Sequence, residues 1–406
     1  MNILLIELDY HPEVLRDTCL LLSHSTHNIT LFTTKKIWNK TNLSINELDD
    51  HFQLIFFDGS GKLFNILKFH RPILEQQDVI FFNTMASHFK EYNQFDWPCP
   101  ILVRIHNSNT FFGTPFSQYN PKASFYQIWK DWSHIFRKTI LQLDWFYRKK
   151  MLSKVQGLVF HNQIMKEYAI NVFHLPKNKC HVVPMTFSQF TDKSQEIKDY
   201  FQMTITGKVD KRTRNYEEVF AAFESIIVHF PKPVTLHILG DSDSVYGRRI
   251  EKLFKRIESD LFKVVFYKNY VSQNEFLNVM QYTHLLIAPF PHVTRHTIYD
   301  EIYGLSKISG SVCDAIKFQK PCLIPSYYNI DPSLNKLIIH YTGQNDLAAK
   351  MLQLIINHGK TDRQPISITK EYSKNKVLQA YNNACIETLT SNSILYFCVL
   401  AISYIS

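Results

Sequence analysis

Short apolar runs alternating with helix-length amphipathic stretches set the pattern of this chain. Asn2–Leu8 is apolar, Val14–Ser23 carries helical spacing, and Asn28–Thr33 is apolar and β-branched again. The strand signal returns at Gln53–Asp58, Asp78–Asn83, Ile101–His106, Gly157–Asn162 and His181–Val183, with helix-length segments such as Gly61–Leu74 between them. Strands that are apolar throughout belong to parallel sheets covered on both faces. Ligands of such sheets gather beyond the C-terminal strand ends, so the polar residues closing these runs, Asp58, Asn83, His106 and Asn162, are the first candidates for chemistry.

Around Pro184–Lys198 the composition shifts, and the alternation then restarts. Tyr200–Thr206, Val234–Leu239, Lys263–Tyr267 and His284–Ala288 read as strands, and Tyr216–Val228, Gly247–Glu258 and Asn274–Gln281 as helices. The pattern predicts an α/β chain of two tandem Rossmann-like, doubly wound domains, at 1–190 and 191–370. Residues 371–406 close the chain: the helix Ser373–Thr388 is expected to pack back on the first domain, followed by an apolar tail at Ile394–Ile405. The tail, about a dozen residues, is too short to span a bilayer.

Composition narrows the class. With 45% hydrophobic content over 406 residues the chain can bury two cores, which suits the two-domain pattern. A net charge of +9 favours anionic partners: phosphorylated substrates, an acidic membrane surface or nucleic acid. Charge is all that points to nucleic acid; no recognition motif accompanies it, and none is expected as a partner. The seven cysteines are scattered, with no Cys-x-x-Cys pair and no Cys/His cluster, so a reducing cytosolic setting without structural zinc is expected. Ser124–Val155 interleaves Trp129, Trp132, Phe136, Trp145, Phe146 and Tyr147 with Lys130, Arg137, Lys138, Arg148, Lys149 and Lys150. Two readings are open: a helix lying on an anionic bilayer, peripheral to the inner face of the cytoplasmic membrane, or a core helix with a solvated basic turn.

Chemistry concentrates in Tyr299–Pro325, which opens on acidic residues and runs through Lys307, Ser309, Gly310 and Ser311 into a helix-like segment. Carboxylates suit sugar hydroxyls, and small residues at a helix start bring backbone N–H groups to a diphosphate. A kink at Ser309-Gly310 is the plainer alternative. Upstream, Gly207, Lys208, Arg212 and Arg214 form a basic loop between a strand and a helix, where a phosphate or only solvent faces the cations. Leu239-Gly-Asp-Ser-Asp reads first as a turn, and Ser272 with Glu275 as a capping box. His106, ending its strand, is either a contact to a sugar hydroxyl or a structural histidine. The loop after it, Ser108–Gln118, is aromatic and suits the wall of an acceptor site.

The ordered series over roughly Tyr200–Pro325 resembles the C-terminal half of GT-B glycosyltransferases, especially glycosyltransferase family 4: the Gly-Lys loop at Ile205–Phe223, Ile238-Leu-Gly-Asp, Val271-Ser, Ile287-Ala-Pro-Phe, Glu301-Ile-Tyr-Gly and Asp314-Ala-Ile-Lys-Phe-Gln-Lys-Pro. The resemblance implies two domains with a cleft between them, a nucleotide sugar on the second domain and an acceptor on the first. It implies Gly207, Lys208 and Arg214, with Arg212 as alternate, at the diphosphate. Glu301 would face the donor sugar, Asp314 the ribose, and His106 the transferred sugar. Glu301 and Asp314 stand thirteen positions apart where the family pattern has eight, and the inserted turn reads as a longer phosphate loop carrying Lys307, Ser309, Gly310 and Ser311. After the first strand, Glu7-Leu-Asp-Tyr-His-Pro replaces the glycine-rich loop often found there.

The resemblance thus leads to the expectation of a retaining, metal-independent hexosyltransferase-like enzyme without a cofactor. It would move a sugar from a nucleotide sugar to a glycan or lipid-linked acceptor in cell-envelope polysaccharide synthesis. The alternative is a catalytically degenerate protein that binds nucleotide or glycan in a regulatory or accessory role.

Overall fold

A computed structural model describes residues 1–59, 62–114, 129, 132–133, 136–137, 143–190, 199–296, 299–358 and 370–403, with side chains omitted for 296 and 391–403. Gln118, Ser124, Lys130, Lys138 and Lys198, and the side chains of the tail Ile394–Ile405, lie outside the described residues. The chain divides into two units: Met1–Met185 with Arg295–Glu301 and Asn375–Ser406, and Thr186–Thr294 with Ile302–Lys374.

In the first unit, seven parallel strands form one sheet: β1 (Asn2–Glu7), β2 (Asn28–Thr34), β3 (Phe52–Phe57), β4 (Val79–Phe82), β5 (Ile101–Arg104), β6 (Gly157–Phe160) and β7 (Cys180–Val182). Their order is β3-β2-β1-β4-β5-β6-β7, so β1 and β4 are neighbours and the winding reverses between them. Leu4, Ile6, Ile80, Phe82 and Val103 face one core, shared with Leu67, Tyr92 and Met151 from covering helices. On the opposite face the helix Lys374–Ser403 closes the layer, with the Tyr381 ring stacked on Phe81 at 4.7 Å. His27 Nε2 meets Asn382 Oδ1 at 2.8 Å, and His181 Nδ1 meets Glu387 at 3.0 Å along the same helix.

The second unit repeats the plan with β8 (Phe201–Thr206), β9 (Val234–Asp241), β10 (Phe262–Tyr267), β11 (Leu285–Ile287), β14 (Cys322–Pro325) and β15 (Ile338–Tyr341). The order β10-β9-β8-β11-β14-β15 is again parallel and doubly wound, with the reversal between β8 and β11. Between β11 and β14 the chain adds a two-stranded ladder, β12 (Val293–His296) and β13 (Tyr299–Ile302), whose Arg295–Glu301 stretch belongs to the first unit. The expected fold class thus holds within each unit.

Local chemistry explains where elements depart from expectation. The stretch read as one helix to Leu74 is two, Leu63–Phe69 and Arg71–Leu74, because Pro72 has no N–H to continue the ladder. Strand β9 runs on through Gly240 to Asp241 instead of turning at Leu239. No helix among the described residues is long and apolar enough to cross a membrane.

Candidate active site

The second unit gathers most of the sequence-predicted residues at its switch point. Thr206 closes β8, and Gly207 then turns the chain with φ of 99°, a conformation that a Cβ makes costly. Gly240 backs that turn closely: a Cβ on it would stand 2.1 Å from the Gly207 carbonyl oxygen, so only hydrogen fits. Lys208 projects from the loop with its side chain 62% exposed and pairs with Asp241 at 3.3 Å.

The helix Gly310–Phe318 begins beside this loop. Ser309 is its N-cap, with its Oγ accepting from the Ser311 N–H at 3.3 Å, so the chain starts a helix here and is not kinked within one. Ser309's own N–H donates to the Tyr328 hydroxyl at 3.2 Å. Ser311 Oγ accepts from Thr206 Oγ1 at 2.9 Å and from Arg214 Nη2 at 3.0 Å, tying the helix start to the end of β8. Gly310 is exposed, and a Cβ there would meet nothing within 4 Å, so the helix opens onto free space. Open space at the positive end of a helix, flanked by a glycine turn and Lys208, suits a phosphate group.

The two arginines behave differently. Arg214 is buried; it donates to the carbonyls of Thr206 at 3.0 Å and Thr213 at 2.8 Å and lies 4.9 Å over the Phe290 ring. It builds the loop from within. Arg212 is exposed and clamps Asp210, holding that carboxyl below its usual range through their hydrogen bonds. Lys307 lies across a bridge from Tyr303, its Nζ 5.7 Å from that ring, and Asp314 is half-buried on the helix.

Glu301 sits in the first unit, fully buried. Its carboxylate accepts from the Thr110 N–H at 2.6 Å, from the Thr110 hydroxyl at 2.7 Å and from the Asn109 N–H at 3.4 Å. It therefore caps the short helix Ser108–Phe112 that comes after His106. Arg148 holds the other end of that helix through the carbonyls of Thr110 and Gly113, at 2.9 Å and 3.0 Å.

His106 lies at the first sheet's switch point, against the strand-end candidate Asn83 and against Thr84, His11 and His161, which the sequence did not single out. Its Nε2 is 2.7 Å from the Asn83 carbonyl and 3.2 Å from Thr84 Oγ1. His11 stacks on it at 4.2 Å, and His161 approaches at 5.2 Å. Burial, reinforced by the neighbouring histidines, holds His106 well below the usual imidazole range, so it is neutral near pH 7. His161 is buried with no hydrogen-bond partner for either ring nitrogen among the described residues. Beneath them Glu7 is fully buried at the end of β1, and burial pushes its carboxyl up to about 7.

Of the other strand-end candidates, Asn162 caps the helix Gln163–Phe173 through Met165, Asp58 is exposed, and Asn83 joins Glu7 at 2.8 Å. The signal for Glu7 was present, a carboxylate ending an apolar run, but it reads equally as the start of a loop. Among the described residues, no group of three or more His, Cys, Asp or Glu side chains is placed to hold a metal ion.

No protein-family model matches this sequence, and no curated protein matches it. Solved structures do. Anabaena Alr3699/HepE in complex with UDP is similar over 99% of this chain and 100% of its own, at 12% identity and a TM-score of 0.56. AviGT4, a glycosyltransferase involved in avilamycin A biosynthesis, is similar over 96% and 98%, at 9% identity and 0.57. A protein assigned as a UDP-N-acetylglucosamine 2-epimerase from Listeria monocytogenes is similar over 93% and 94%, at 10% identity and 0.52. At such identities the likeness is one of fold: tandem doubly wound domains of the GT-B type, as the sequence resemblance implied.

Proposed function

We propose that this chain is a nucleotide-sugar-dependent glycosyltransferase. The observation that carries the reading is the second unit's switch point, where a glycine turn, an exposed lysine and the open N-terminus of a helix converge. These are the groups a nucleoside diphosphate needs: N–H donors for its oxygens and cations for its charge. The fold adds support, since it is shared with a protein solved with UDP and with a glycosyltransferase.

In this mechanism the bond from the anomeric carbon to the β-phosphate oxygen breaks while a bond to the acceptor hydroxyl oxygen forms on the same face. The departing phosphate oxygen takes the acceptor's proton, so retention needs no protein base. Lys208, Lys307 and the open helix N-terminus at Gly310 carry the leaving charge, an electrostatic contribution that calls for no divalent ion. Arg214 acts by shaping the loop, and His106 is the first unit's candidate contact to the transferred sugar.

The acceptor class we propose is a glycan or lipid-linked saccharide of the cell envelope, met at the cytoplasmic face of the membrane. Exposed Trp129, Trp132, Phe136 and Phe146, and exposed Lys149 and Lys150 on the helix that carries Phe146, support contact with an anionic bilayer. Flotation on vesicles with and without anionic lipid tests this; failure to float with the acidic vesicles sinks it.

The main test is incubation with a panel of UDP-, GDP- and dTDP-sugars, with and without EDTA. Sugar release or transfer that survives EDTA is the expected result. A 2-epimerised sugar nucleotide as product would place the chain with the other activity found on this fold. UDP binding without turnover would make it a degenerate binder, and no binding at all overturns the assignment.

A further inference from the structure

The polar cluster at the first switch point is organised from Glu7. One carboxylate oxygen accepts from the N–H groups of Asp9 and Tyr10, each at 3.1 Å, and the other from Asn83 Nδ2 at 2.8 Å. Asp9 extends the stitching, accepting from the Ala86 N–H at 2.8 Å, from the Ser87 N–H at 3.2 Å and from the Ser87 hydroxyl. The loop after β1 and the loop after β4 are thus one assembly, and His106 rests on it through Asn83 and Thr84.

This arrangement decides the imidazole's tautomer. A carbonyl oxygen can only accept, so the His106 nitrogen 2.7 Å from the Asn83 carbonyl carries the proton. Nδ1 then holds the lone pair and has no partner among the described residues.

We propose that Glu7 is a positioning residue for His106, acting through Asn83 to lock the imidazole as its Nε2–H tautomer and so present Nδ1 as acceptor to a substrate hydroxyl. When Glu7 is ionised, it draws the Asn83 amide toward it and holds the Asn83 carbonyl where it accepts from His106 Nε2–H. The imidazole is then polarised and Nδ1 becomes a better acceptor. When Glu7 is protonated, it accepts from Asn83 more weakly and the relay weakens. The carboxyl's elevation to about 7 places this change near neutrality. Other titratable or charged groups face the pair: His11 reaches both, Asp9 and the Tyr92 hydroxyl face Glu7, and Arg104 and His161 face His106. The functional part of the inference rests on the glycosyltransferase reading; the proton relay does not.

Long-range 1H–15N spectra of histidine-labelled full-length protein test the relay, with His106 assigned by its loss in His106→Asn. At pH 8 the expected pattern is a neutral ring with Nε2 protonated. Its nitrogen shifts should pass through an inflection near pH 7 without the ring itself protonating. Glu7→Gln should abolish the inflection. Asn83→Ala, which leaves the carboxyl intact but removes the amide that joins it to His106, should also remove it at His106. An Nδ1–H tautomer, or an inflection that survives in Glu7→Gln, overturns the proposal. In a transfer assay, kcat/KM of the wild type should rise through pH 7, whereas Glu7→Gln should be flat and lowered roughly tenfold or more, chiefly in kcat. An intact relay without any transfer would discard the enzyme reading alone. Transfer without the relay would discard only the role given to Glu7.

Discussion

Arg212 and Arg214 stand two positions apart in one basic run, yet burial gives them opposite weights. Removing Arg214 strips donors from two carbonyls and from Ser311, and charged hydrogen bonds are each worth about 1.5–3 kcal/mol. Arg214→Ala should therefore destabilise the fold by roughly 3–5 kcal/mol in urea unfolding. Arg212→Ala breaks only an exposed pair and should cost under about 1 kcal/mol. Equal effects would contradict these placements. Glu7 gives a second prediction. Its folded carboxyl sits above the unfolded one, so its contribution is fully present below about pH 4.5 and is lost as pH rises through about 7. His106 and His161, both held down, act in the opposite sense: their contribution is present above the usual imidazole value and lost as pH falls below it. Glu7→Gln, measured against wild type, should thus gain stability between pH 5 and pH 8, by up to roughly 3 kcal/mol. A pH-independent difference would show that Glu7 does not titrate in this range.

At the scale of elements, two glycines separate fold from ligand. Gly240→Ala would drive a Cβ into the Gly207 carbonyl and should disorder the loop, lowering thermal stability and UDP affinity together. Gly310→Ala meets open space at a helix start, so stability should hold within about 0.5 kcal/mol while UDP affinity falls at least several-fold. Unchanged calorimetric affinity in Gly310→Ala would move the diphosphate away from this helix. The same contrast shows what the sequence could tell. Apolar runs marked the strands, since a strand buried on both faces has little other way to read, and the Ser309–Gly310 start was legible from small residues before an apolar helix. Side-chain reach was not legible. Nothing local marks Arg214 as turned inward, Glu301 as the cap of a helix almost two hundred residues earlier, or His161 as the buried neighbour of His106. For His161 the gap is a single position: its apolar run reads as ending at Asn162, one residue too far along.

For the whole molecule, the late helix Lys374–Ser403 is a component of the first unit's core. Tyr381 is fully buried against Phe81, and Tyr381→Ala should cost about 3–5 kcal/mol, the range for deleting a large buried ring. Unfolding followed by a probe in the first unit should register that loss; a probe placed only in the second unit should not respond first. The proposed membrane contact belongs to this scale too: the positive net charge would draw the protein as a body toward acidic vesicles, and flotation that fades as salt rises is the expected result. The position of the helix also imposes an order on synthesis. The strand carrying Phe81 leaves the ribosome roughly 300 residues before Tyr381, an interval on the order of 15–60 s at ordinary translation rates. Through that interval one face of the nascent first sheet lacks this cover, exposed to chaperones and to neighbouring nascent chains, and the arrival of the late helix is what ends the wait.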